Sequence, residues 1–126
     1  MVPILREQPH FRETPDGVRL IATRDSATRE FMFPPSQYRR SESSMLEELL
    51  IESEGTLYTF SIVHLGRDKA PYALGMVDFA SGIRVFGVLL LEKGVRPAIG
   101  GRVKTVAHNL PDGTPDFAFS FISEQP

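Results

Sequence analysis

The stretch Gly55-Thr56-Leu57-Tyr58-Thr59-Phe60-Ser61-Ile62-Val63-His64 decides the fold. It alternates: Leu57, Thr59, Ser61 and Val63 fall on one face of an extended chain, and Tyr58, Phe60 and Ile62 on the other. The same texture recurs toward the C-terminus. A polar loop over 65–71 precedes a strand over 72–79. Ala80-Ser81-Gly82 is a tight hairpin connection, with Gly82 available for positive φ. Residues 83–91 return as a strand that reads as a buried, near-continuous apolar run. After a loop over 93–97, Gly100-Gly101 bends into a strand over 102–109, where Val103, Thr105 and Ala107 alternate with Arg102, Lys104, Val106 and His108. Pro111-Asp112-Gly113-Thr114 is a turn. The last strand, 117–122, carries Phe117, Phe119 and Phe121 on one face. Short strands joined by turns, with Gly75 and Gly87 inside them to allow sharp coiling, predict a small all-β barrel.

The N-terminal side has another texture. Leu46, Leu49 and Leu50 would share a helical face, but the strand-rich context favours a strand over 46–51. Residues 36–44 are polar and aperiodic, a linker or loop. Residues 17–44 resemble two short strands and a knuckle. Gly17 opens a strand over 18–23, Asp25-Ser26-Ala27 is a turn, and a return strand over 29–33 stops at Pro34-Pro35, because proline cannot donate to a ladder. Residues 1–16 carry Pro3, Pro9 and Pro15 and read as an extended arm with one helical turn over 10–13. The expected organisation is an arm and ribbon over 1–44 and a barrel domain over 45–126.

The ribbon layout suits a small zinc site held by four thiolates. The chain has no cysteine. That excludes disulfides, a Cys nucleophile and any thiolate-bound metal, so the ribbon must rest on contacts such as Leu20, Phe31 and Phe33. With 126 residues and 41% hydrophobic content, the chain suits one compact domain plus a short appendage. A net charge of -2 provides no global basic field of the kind a sequence-independent nucleic-acid binder carries. The N-terminus has charges and a proline too early for a signal peptide. The longest apolar stretch, 85–91, is too short to span a bilayer. A soluble, cytoplasmic protein is expected.

The order of the pieces is specific. Gly17-Val18-Arg19-Leu20, then Phe33-Pro34-Pro35, then the stretch from Glu54 to His64, then residues 71–79, Ser81-Gly82-Ile83-Arg84-Val85 and Ile99-Gly100-Gly101-Arg102-Val103 cover most of the chain. In this order they resemble the family called domain of unknown function 35. Its members join a rubredoxin-like zinc ribbon to an OB-fold and are associated with acyl-CoA metabolism. The resemblance implies a five-stranded OB barrel behind a ribbon. It also implies an accessory role beside a thiolase-like or ketosynthase-like acyltransferase, or a hydratase-like subunit, whose acyl-CoA site the chain helps form or stabilise. The departure is plain. Where the family supplies two Cys-x-x-Cys pairs around the Phe-Pro-Pro, this chain has residues 25–28 and 39–42, without a thiol. Asp25 and Glu42 do not replace four thiolates, and no zinc is expected.

No catalytic set emerges. His10, His64 and His108 have no carboxylate at a suggestive spacing, and their wide separation argues against a shared metal. No nucleophile elbow occurs, and Gly100-Gly101 is not followed by the helix start and Lys-Ser/Thr of a phosphate loop. His64, Arg67 and Lys69, with Arg84, Arg102 and Lys104 on other strands, could form a cationic patch for a CoA phosphate or a partner carboxylate. Their plainer reading is solvated surface paired to Asp68, Asp78 or Glu92. Phe33, Pro34 and Pro35, with Tyr38, Arg39 and Arg40, read as a partner-contact surface, since Tyr and Arg are favoured interface anchors; their plainer reading is a flexible loop.

The expected function is thus a non-catalytic accessory subunit in a hetero-oligomer, with acyl-CoA as a shared substrate and no bound cofactor. The alternative is a single-stranded nucleic-acid module stacking bases on Tyr58, Phe60 and Tyr72. Against it stand the acidic balance and the lack of an Arg/Lys stripe.

Overall fold

The alternating stretch forms β5 (Glu54–Val63), the longest strand among the described residues. In the computed structural model, which describes residues 10–35, 45–64, 66, 71–91 and 97–122, β5 begins a closed barrel with β6 (Tyr72–Asp78), β7 (Arg84–Leu90), β8 (Arg102–Asn109) and β9 (Pro115–Phe121). The order around the barrel is β5-β6-β7-β9-β8, closed by β8 against β5. All ladders are antiparallel except β7 with β9, which run parallel through Leu89–Phe119 and Leu90–Ser120. This is the OB arrangement, and the described residues contain no helix.

Alternation fills the interior. Leu57, Val77, Val85, Leu89, Val103 and Phe119 are each at most 2% exposed. One expectation changes here: the faces of β5 do not alternate throughout. The register shifts between Leu57 and Thr59, and an extra residue in a ladder swaps the faces beyond it. Leu57 is buried, and Phe60, three positions on, also packs against the core. The glycines in the strands behave as expected of a tight barrel. Gly75 and Gly87 are direct cross-strand partners. A Cβ at Gly75 would lie 3.0 Å from Leu57 Cδ1, and one at Gly87 3.0 Å from Phe117 Cε2. The hairpin between β6 and β7 turns at Gly82, with φ of 97°.

The N-terminal sheet is built around β2 (Gly17–Asp25). Here β1 (Phe11–Thr14) pairs with the first half of β2, while β3 (Phe31–Met32) and β4 (Leu46–Leu50) pair with the second half. The helical turn expected over 10–13 is a strand instead. The cause is Pro15-Asp16-Gly17, a sequence suited to a tight turn. Thr14 Oγ1 donates to the Gly17 carbonyl at 2.8 Å and accepts from the Asp16 N–H at 3.2 Å, which brings β1 back onto β2. The strand favoured after Met45 exists, but its ladder is with β2. It therefore belongs to the N-terminal sheet, although it follows the boundary drawn at 44/45.

The sheet and the barrel share one core. Leu20, Ala22 and Ile51 are buried in the same cluster as Leu57, Val77 and Phe119, and Phe31 and Phe33 pack against it. Arg19 ties the two ends of this region: its guanidinium donates to the carbonyls of Ile51 at 2.9 Å and Leu50 at 3.1 Å.

Candidate docking face

The strands that line the barrel with one face present an apolar second face to the outside. On β6, Ala73, Gly75 and Val77 are buried, so Leu74 and Met76 point outward; on β7, Val85 and Leu89 are buried, so Phe86 and Val88 point outward. Register puts Leu74 opposite Val88 and Met76 opposite Phe86. Phe86 is 58% exposed, a costly way to leave an aromatic ring in water. The run over 83–91 is therefore not wholly buried as expected: every second side chain faces out.

The N-terminal sheet turns this face into a groove of about 520 Å³. Phe33 and Pro34 form one wall, Phe117 and His10 close it, and Leu74, Met76 and Phe86 floor it. Phe33 stands edge-on to Phe117 at 5.6 Å, and Phe117 to Phe119 at 5.6 Å, so an aromatic relay fixes the wall to the barrel core. Arg84 marks one end. Its Nε donates to Asp78 Oδ1 at 2.5 Å and its Nη2 to Asp78 Oδ2 at 3.1 Å. Its guanidinium carbon lies 3.5 Å from the centroid of the Tyr58 ring. The hydrogen bond from Arg84 holds the Asp78 carboxyl below its usual range, against a smaller opposing effect of burial; the same bond raises the pKa of Arg84.

The residues singled out from sequence scatter. His64 is exposed just beyond the end of β5, where Val63 pairs with Tyr72. Arg84 sits at the opposite end of β6, across from Asp78, roughly 20 Å away along the strand at the usual rise per residue. The two are not brought together, and Arg84 is paired as the plainer reading expected. Arg67 and Lys69 lie outside the described residues, as do Tyr38, Arg39 and Arg40. Arg102 is paired to Glu54 at 3.2 Å. Phe33 and Pro34 do meet at the groove, Phe33 half-buried and Pro34 exposed. The stacking platform does not assemble: Phe60 packs on the core, Tyr58 lies under Arg84, and Tyr72 is at the far end of β6.

The residues missed in the sequence are Leu74, Met76, Phe86 and Val88. Their signal was present as apolar residues on both faces of one hairpin, more than a barrel of five strands can cover. Among the described residues, no three His, Cys, Asp or Glu side chains come together.

The architecture is that of an OB-fold protein whose outer β6–β7 face, the face OB-folds commonly use for ligands, is walled by an added sheet. The chain is similar to proteins of the DUF35 OB-fold family. Residues 50–108 match the family described as the C-terminal OB-fold domain of ChsH2. A DUF35 domain-containing scaffold protein of Methanocaldococcus jannaschii is 25% identical over 91 residues, covering 69% of this chain and 62% of the relative. The chain thus matches less than two thirds of that relative's length. Among solved structures, the Ltp2-ChsH2(DUF35) aldolase has a chain with a TM-score of 0.66 and 18% identity, covering 82% of this chain and 84% of that one; this likeness speaks to the fold.

Proposed function

We propose that this chain is a non-catalytic accessory subunit that docks by its β6–β7 face onto a thiolase-like or ketosynthase-like acyltransferase, or a hydratase-like partner. There it helps form or stabilise the acyl-CoA site. The observation that carries the reading is the walled apolar face with Phe86 standing 58% exposed on its floor. Interface cores are aromatic and poor in charge, ringed by polar groups. This face has that composition, with Arg84, itself paired to Asp78, and with Asp116 and His10 among its lining. The scaffold name of one relative and the aldolase complex of a structural neighbour support the same class of role. The partner supplies the reacting groups in this reading, and the pair is a hetero-oligomer in the cytoplasm.

The test is co-purification of the full chain with a thiolase-type protein from its own source, beside a Phe86→Asp variant. Wild type is expected to retain the partner and Phe86→Asp to lose it by roughly 100-fold in affinity, as for a central aromatic anchor. A wild-type monomer that ignores thiolase-type proteins and acyl-CoA would sink the proposal.

A further inference from the structure

The first knuckle of the ribbon is organised by a buried carboxylate. Asp25 ends β2 and is 1% exposed. Its Oδ1 accepts from the Ala27 N–H at 2.8 Å and from the Thr28 N–H at 3.3 Å. Its own carbonyl accepts from the Arg29 N–H at 2.7 Å, and its N–H donates to the Glu30 carbonyl at 3.0 Å. Ser26 fastens the same turn to the start of β4: its N–H donates to the Met45 carbonyl at 2.9 Å, and its Oγ accepts from the Met45 N–H at 2.9 Å. The turn, the entry to β3 and the entry to β4 are therefore one hydrogen-bonded unit built on Asp25 and Ser26.

A zinc knuckle fixes such a turn from outside the peptide, by drawing side-chain donors onto an ion at about 2.0–2.3 Å. Here the order is inverted: a side chain inside the turn gathers the backbone's own donors. A carboxylate makes stronger bonds to amides than a neutral acceptor does, and a buried charge persists only where such partners surround it. Arg29 follows at φ of 61°, a conformation that non-glycine residues seldom adopt, in the position where the turn's carbonyl–amide bond to Asp25 closes.

We propose that Asp25 replaces the metal of the knuckle. It sets the turn over 25–30 and, through β3, places Phe33 on Phe117, so that the wall of the groove forms without any ion. This inference stands whether or not the face docks a partner, because its test reads the isolated chain.

The experiment compares wild type, Asp25→Ala and Asp25→Asn as full chains. Elemental analysis of purified wild type is expected to find no stoichiometric metal, and EDTA to leave its thermal midpoint unchanged. In Asp25→Ala, amide exchange at Ala27 and Thr28 is expected to accelerate by roughly tenfold or more, the effect of losing charge-assisted bonds. Asp25→Asn keeps an Oδ1 acceptor and is expected to retain more of that protection. One zinc per chain overturns the proposal, as does a midpoint lowered by the chelator or protection unchanged in Asp25→Ala. Should Asp25→Ala fail to fold, the asparagine variant decides. Exchange at Ala27 and Thr28 faster there than in wild type supports the carboxylate's role, and exchange unchanged from wild type overturns it.

Discussion

The barrel and the N-terminal sheet solve the same problem in opposite ways. Each barrel strand has a neighbour on both sides, and the ring of ladders encloses Leu57, Val77, Val85, Leu89, Val103 and Phe119. The N-terminal sheet has a two-residue strand in β3 and a four-residue strand in β1, and its buried apolar side chains lie in the barrel's cluster. So short a set of strands cannot enclose a core by itself. The difference teaches that the sheet is a dependent addition: it gains stability from the barrel and in return gives the outer face a wall.

The largest effect should come from Phe119→Ala. This ring is 0% exposed and touches both the interior and the aromatic relay. Removing it should cost about 3–5 kcal/mol, read as a shifted midpoint in urea unfolding with both regions lost together. A loss below about 1 kcal/mol, the scale of a surface change, would break the claim that the barrel encloses its own core. A middle effect is expected of Phe33→Ala, which cuts the relay at its outer end. We expect about 1–3 kcal/mol from the half-buried ring and its edge contact, with limited proteolysis opening the chain ahead of Met45 while barrel resonances hold. Global unfolding as severe as that of Phe119→Ala would show the two regions to be one cooperative unit.

The smallest effect sits on the surface. The Asp78 carboxyl is held below its usual 3.8 by Arg84. A lowered folded-state value stabilises the protein above the unfolded value and is lost as pH falls through the folded one. Both partners are more than 40% exposed, so solvent screening keeps the contribution small. The stability of wild type minus that of Asp78→Asn should be flat near neutrality and shrink only below pH 3.8. A difference that shrinks between pH 5 and 7 would assign the titration to another group.

The barrel was legible because its physics is local. Val103 and Thr105 alternate inward, Phe119 points to the centre between Phe117 and Phe121, and Gly75 and Gly87 stand where the strands crowd. The strand over 11–14 was missed although Pro15-Asp16-Gly17 announced its turn, because an arm rich in proline masks so short a hairpin. The displaced register at Leu57 and Thr59 was not legible, since alternation persists in the letters while the ladder shifts beneath them. The groove was hardest. The sequence shows that β7 is apolar on both faces, but the burial of a second face depends on what lies over it. The cationic set shows a related difficulty: of its members within the described residues, His64 and Arg84 are separated by the length of a strand.

One feature of the barrel reaches further. The parallel contact of β7 with β9 has two residue pairs, whereas β6 with β7 has six. Both pairs involve residues thirty positions apart in the chain, a closure that chain entropy opposes more than it does a hairpin. Leu89 and Phe119, which form the first pair, are 2% and 0% exposed. The circumference is thus completed by a short seam whose backbone bonds are few and whose first pair of side chains is fully enclosed. At that one place the ring is fastened by packing rather than by its ladder.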